Sequence, residues 1–98
     1  MTLDQAREQL KASKKTIRCH ELEQLLESLG FEVRDGNGGG HKVFTHPNLT
    51  TFHSGGFNCG HGKNPEIKPA YITRVLRVLA EHEDDLRAYL SALQRNQD

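Results

Sequence analysis

The chain has 98 residues, enough for one domain with one modest core. Thirteen basic residues balance thirteen acidic ones, and no stretch approaches the ~20 apolar residues of a bilayer span, so a strongly basic nucleic-acid coat and a membrane-embedded protein are both excluded. No apolar run follows Met1, as a secretory leader would require. A cytoplasmic protein is therefore expected, with no membrane partner and with Cys19 and Cys59 as free thiols.

Leu3, Ala6 and Leu10 fall at helical spacing and predict a short helix from Leu3 to about Ala12. Leu22, Leu25, Leu26 and Leu29 repeat the i, i+3, i+4, i+7 pattern of one helical face, with Glu21, Glu23, Gln24 and Glu27 on the other. Gly30 stands where a left-handed cap ends such a helix. Phe31 to Arg34 alternates apolar and charged residues, the period of a half-buried strand. Asp35 to Gly40 is a loop on composition. Lys42 to His46 predicts a second strand and Leu49 to His53 a third, with Pro47-Asn48 turning between them. Ser54 to Asn64 reads as a Gly-, Asn- and His-rich loop. Pro69 suits the first turn of a helix carrying Ile72, Val75, Leu76 and Leu79. His82 to Asp85 interrupts that stripe. Leu86, Tyr89, Leu90 and Leu93 then form another, on a helix whose acidic first turn suits the helix dipole. Helix, three strands and helix, with an extra helix at each end, predict a two-layer α+β domain: a three-stranded antiparallel sheet with helices on one face.

Charge is unevenly placed along this order. From Gly39 to Val78 the bases Lys42, Lys63, Lys68, Arg74 and Arg77 face Glu66 alone; from Leu79 onward the acids dominate. A basic middle before an acidic end suggests one face for a polyanion. The segment Gly39-Gly40-His41-Lys42-Val43-Phe44-Thr45-His46-Pro47 sets a histidine between a glycine run and a strand. Glycine lets a bulky ligand approach the backbone, and imidazole moves protons near neutral pH. Such a site suits a phosphodiester; a solvated histidine at a glycine-rich hairpin entry is the plainer alternative.

The same residues resemble the HicA family of bacterial toxins, small ribonucleases of type II toxin–antitoxin pairs. The likeness runs from about Arg18 to Leu79. It rests on Glu21 to Leu29 followed by Gly30-Phe31, on Gly40-His41 followed by Phe44, His46 and Pro47, and on Lys68-Pro69 followed by Ile72 to Leu76. The resemblance implies an α-β-β-β-α fold like the double-stranded-RNA-binding domain, cleavage of messenger RNA without a required metal, and an antitoxin partner of the HicB type. It divides the single domain into an extension (1–17), a HicA-like core (18–80) and a C-terminal helical extension (81–98). It places the catalytic histidine on His41. Three positions depart from the family: Gly40 replaces a usual Ser, Lys42 stands where a second His is often found, and the loop from Ser54 to Asn64 is longer and richer in His.

In this reading His41 removes the proton of the ribose 2′-hydroxyl, which attacks the adjacent phosphorus. The amides of Gly38, Gly39 and Gly40 form a nest for phosphate oxygens, and Lys42 offsets the developing charge. His53 and His46 are candidates for the acid that protonates the leaving oxygen, although the strand period sets His46 on the opposite face from His41. Lys63, Lys68, Arg74 and Arg77 are candidate phosphate contacts, against the alternative of a solvated helix face. Cys59-Gly60-His61 is too tight for structural zinc spacing and has no matching pair, so neither a metal nor another cofactor is expected. A non-catalytic RNA-binding or protein-interaction module of the same fold is the alternative function.

Overall fold

Among residues 1–97, which the computed structural model describes, seven elements follow one another: α1 (Leu3–Ala12), α2 (Cys19–Ser28), β1 (Glu32–Asp35), β2 (His41–Thr45), β3 (Gly55–Asn58), α3 (Pro69–Glu81) and α4 (Glu83–Gln97). The expected C-terminal extension is helical, and its last residue, Asp98, lies outside the described residues.

Local chemistry explains most boundaries. Thr2 and Gln5 start α1 with a reciprocal capping box: Gln5 N–H donates to Thr2 Oγ1 (3.1 Å) and Thr2 N–H to Gln5 Oε1 (2.9 Å). Gly30, at φ +93°, ends α2. Phe31 N–H reaches back to the Leu26 carbonyl (3.1 Å) and Gly30 N–H to that of Glu27 (3.0 Å), the two bonds of a Schellman motif. Pro69 occupies the first turn of α3, and α3 and α4 are separate helices parted at His82.

The sheet is antiparallel in the order β1-β2-β3. Val33 pairs with Phe44, and Lys42 with Phe57. Phe44 and Phe57 point into the core with Leu22, Leu26, Ile72, Val75 and Leu79. Helices α2 and α3 therefore cover one sheet face and leave the other open, as an α+β two-layer domain requires. At the ends, α1 buries Leu3, Ala6 and Leu10, and α4 buries Leu86, while Leu93 stays exposed. Arg7 pairs with Glu83, and Arg87 with Asp4 (2.8 Å), joining the two added helices.

The third strand corrects the expectation. Leu49 to His53 forms turns instead, with Leu49 N–H donating to the His46 carbonyl (3.3 Å) and Phe52 N–H to that of Leu49 (3.1 Å). The strand is Gly55–Asn58, inside the expected loop. Glycine is a poor strand former on its own, but here the Phe44 ring fills the space that a side chain on Gly55 would need. The packing of one aromatic ring against a bare backbone overrides local propensity.

Candidate active site

His41 opens β2. Side chains alternate along a strand, so His41 and Val43 face away from Phe44 and onto the open side. Directly opposed residues share a face: Arg34 pairs with Val43, Asn58 with His41, and Gly56 with Val43. The His41 ring lies across two glycines. A side chain on Gly36 would overlap its Cδ2, and a Cβ on Gly56 would stand 3.2 Å from its Cε1. The half-buried imidazole thus rests on bare main chain and borders a cleft of about 660 Å³, lined by Arg34, Gly36, Gly38, Gly39, Val43 and Asn58. That volume lies in the range of ligand sites, roughly 300–1,000 Å³. Among the described residues, nothing hydrogen-bonds the His41 ring, and no carboxylate pairs with Arg34.

The loop before His41 turns through Gly38 (φ +92°) and Gly40 (φ +78°), which is left-handed backbone. The amides of Gly38, Gly39 and Gly40 donate to no described acceptor, and Gly39 is exposed beside the cleft. Gly40 has a structural reason to lack a side chain. A Cβ there would run into the main chain of Gly60 and approach Asn58 Oδ1 to 2.9 Å. The segment after β3 therefore packs where any side chain at position 40 would stand.

The basic candidates separate. Lys42 turns to the helix side, where it pairs with Asp35 and with Glu23 (3.4 Å). The hydrogen bond that Lys42 donates to Asp35 holds its ammonium above the ordinary pKa of 10.5; burial opposes this and Glu23 adds to it. Lys63 lines a second recess with Gly40, His41 and Gly62. Lys68 stands at the N-cap position of α3 with no capping hydrogen bond, Arg74 lies 5.3 Å over the Tyr71 ring, and Arg77 is exposed on the same helix. No α3 residue lines either recess beside His41. Arg34 is the cation that the cleft does present. The basic-segment count missed it because Arg34 precedes Gly39; its outward place on β1 was the available signal.

The proposed auxiliary acids do not join His41. His46 is 5 % exposed, on the opposite side of the strand. Its Nε2–H donates to the Leu29 carbonyl (3.0 Å) and its Nδ1 accepts the Asn48 amide (3.1 Å), so it shapes the turn. Burial pushes its pKa below the ordinary 6.5, opposed by the Leu29 bond and by Glu32. His53 is exposed and, like His61, lines neither recess; unlike His61, it has no contact with the glycine turn among the described residues.

Cys19 and Cys59 are not free thiols. They form a disulfide across 40 residues of sequence, with their Cα atoms 5.4 Å apart. The expectation failed because the spacing gave no sign that the start of α2 abuts the end of β3. Glu23 approaches the same sulfurs, and the three side chains offer ligand atoms within 4.8 Å of one another; in the disulfide, neither sulfur is a thiolate. Asn64 secures the far end of this loop. Its Oδ1 accepts the His20 amide (3.0 Å), capping α2, whose own N-cap residue is Arg18, and the Arg18 guanidinium donates to its carbonyl (2.9 Å). His61 lies between these anchors, its Cε1 3.2 Å from the Cβ position of Gly39.

With the geometry described, comparison with known proteins is decisive at one point. The family described as HicA toxin of bacterial toxin-antitoxin matches residues 19–80, well over half of the chain. The chain belongs to the HicA toxin family. No curated protein and no solved structure matches it. Membership of the HicA family gives the chain a toxin role in a toxin–antitoxin pair, with an antitoxin as partner. No helix among the described residues is long and apolar enough to cross a membrane.

Proposed function

We propose that this HicA-family toxin is an endoribonuclease that cuts messenger RNA in the cytoplasm, with His41 as its general base. One observation carries the reading: an imidazole with no described hydrogen-bond partner rests on Gly36 and Gly56 at the edge of an open cleft. A neutral imidazole there accepts the proton of a ribose 2′-hydroxyl, and the 2′-oxygen attacks the neighbouring phosphorus. The amides of Gly38, Gly39 and Gly40 and the guanidinium of Arg34 are available to the phosphate oxygens. RNA is recognised here by backbone and shape, since the cleft lining includes no Phe, Tyr or Trp on which a base would stack. Lys63 adds a cation beside the Gly40 turn, whereas Lys68, Arg74 and Arg77 serve at most a more distant part of the RNA. An antitoxin of the HicB type silences the toxin by covering the open sheet face.

The test is His41→Ala. The wild-type protein is expected to arrest growth when expressed alone and to cut RNA in vitro. The variant is expected to lose about 10²–10⁴-fold in cleavage rate, the usual worth of a general base. Equal cleavage by both proteins would reject His41 as the base. Wild-type binding of RNA without cutting would point instead to a non-catalytic module.

A further inference from the structure

We propose that His61 is the proton donor to the leaving 5′-oxygen in the reaction for which His41 is the base. The inference rests on the ribonuclease reading above. His61 sits on an arch whose two ends are fixed. At one end Cys59 is bonded to Cys19, its amide donates to the Gly40 carbonyl (2.8 Å), and Gly60 N–H donates to Asn58 Oδ1 (2.6 Å). At the other end Asn64 holds the first turn of α2 through the His20 amide and the Arg18 guanidinium. Between these anchors Gly60 to Lys63 is exposed.

The arch is fitted to the turn that precedes His41. Gly60 packs on Gly40 closely enough to exclude any side chain there, and the His61 ring lies against Gly39. The His41 ring lies against Gly36 of the same turn. Two imidazoles therefore lie against one turn, His41 at Gly36 and His61 at Gly39, and the Gly38, Gly39 and Gly40 amides of that turn donate to no described acceptor. Among the described residues neither ring has a hydrogen-bond partner, unlike His46, whose two nitrogens are both committed. In this assignment a phosphate sits on those amides, within reach of both rings.

The proton balance closes with these two groups. His41 takes the 2′-hydroxyl proton as the bond from the 2′-oxygen to phosphorus forms. The bond from phosphorus to the 5′-oxygen breaks, and His61, entering protonated, gives its proton to that oxygen. A 2′,3′-cyclic phosphate and a 5′-hydroxyl result, and proton exchange with water restores both imidazoles.

Leaving-group rescue tests the assignment. Wild type, His61→Ala and His41→Ala are each assayed on two matched oligoribonucleotides. One has the natural 5′-oxygen at the cleavage site and the other a bridging 5′-sulfur, which leaves without protonation. His61→Ala is expected to lose about 10²-fold or more on the oxygen substrate and to regain the wild-type rate on the sulfur one. His41→Ala is expected to stay impaired on both. Full activity of His61→Ala on the oxygen substrate, or an equal loss on both substrates, overturns the proposal while leaving the ribonuclease reading intact. If wild type cuts neither substrate, the ribonuclease reading falls and this assignment falls with it. His61 is exposed, and unchanged thermal melting verifies that the variant folds.

Discussion

Arg34 and Lys42 show how much of a site a single residue's position decides. Both are basic and both lie within a few residues of the glycine turn. Parity separates them: Lys42 follows His41 directly and so points to the helix side, into Asp35 and Glu23. Arg34 pairs with Val43 and shares the face of His41. An exposed guanidinium with no described carboxylate partner is available for phosphate, whereas an ammonium already held by two carboxylates is not. Arg34→Ala is expected to weaken RNA binding about equally across sequences and to reduce the salt dependence of log Kd by about one charge. Fluorescence titrations of a non-cleavable 2′-deoxy-substituted oligonucleotide at several salt concentrations measure this. An unchanged slope would remove Arg34 from the phosphate contacts. This residue was readable from the alternation in Phe31 to Arg34, but choosing it required knowing which sheet face is open.

At the scale of elements, the disulfide-bounded arch is the part of the fold with the least local support. Its residues are glycine, asparagine and histidine, and its shape depends on bonds to α2 and to the Gly40 turn. Reduction of the Cys19–Cys59 bond is expected to lower unfolding stability by about 2–4 kcal/mol, because the bond closes a long loop in the unfolded chain. Urea unfolding with and without a dithiol reductant measures this, and coincident midpoints would contradict it. With that bond reduced, the arch is expected to be the first part of the molecule to loosen. By contrast, the body and C-terminal end of α2 are legible. Its leucine stripe and Gly30 stop are both local features, and both recur in the structure. The glycine-bearing third strand was not legible, because the Phe44 ring that justifies it comes from another strand.

Across the whole molecule, His46 joins three regions. It bonds the end of α2 through Leu29, holds the turn after β2 through Asn48, and meets the edge of Phe31 and of Tyr89 from α4 at 4.8 Å each. A side chain on Gly30 would crowd both the His46 and Tyr89 rings, so these elements meet at one point. Burial keeps His46 neutral, and a second proton would also break the Asn48 bond. Its folded-state pKa lies below the unfolded value of 6.5, so the unfolded chain binds the proton first as pH falls. Stability from this group is therefore complete above that value and declines below it, down to the folded-state pKa. The melting temperature is expected to drop between pH 7 and 5, and His46→Gln is expected to show a shallower drop from a lower start. Equal slopes for the two proteins would show that another group governs acid stability.

The amino-acid sequence alone determined the helices, the first two strands and the alternation that turns His41 away from Phe44. Each of these follows from spacing within a short window, where backbone geometry ties residue number to direction. Only the tertiary structure decided that Cys59 meets Cys19, that Arg34 enters the cleft, and that His61 lies beside Gly39. Those meetings join segments distant along the chain, and their positions are set by how the packed layers bring the loop ends together.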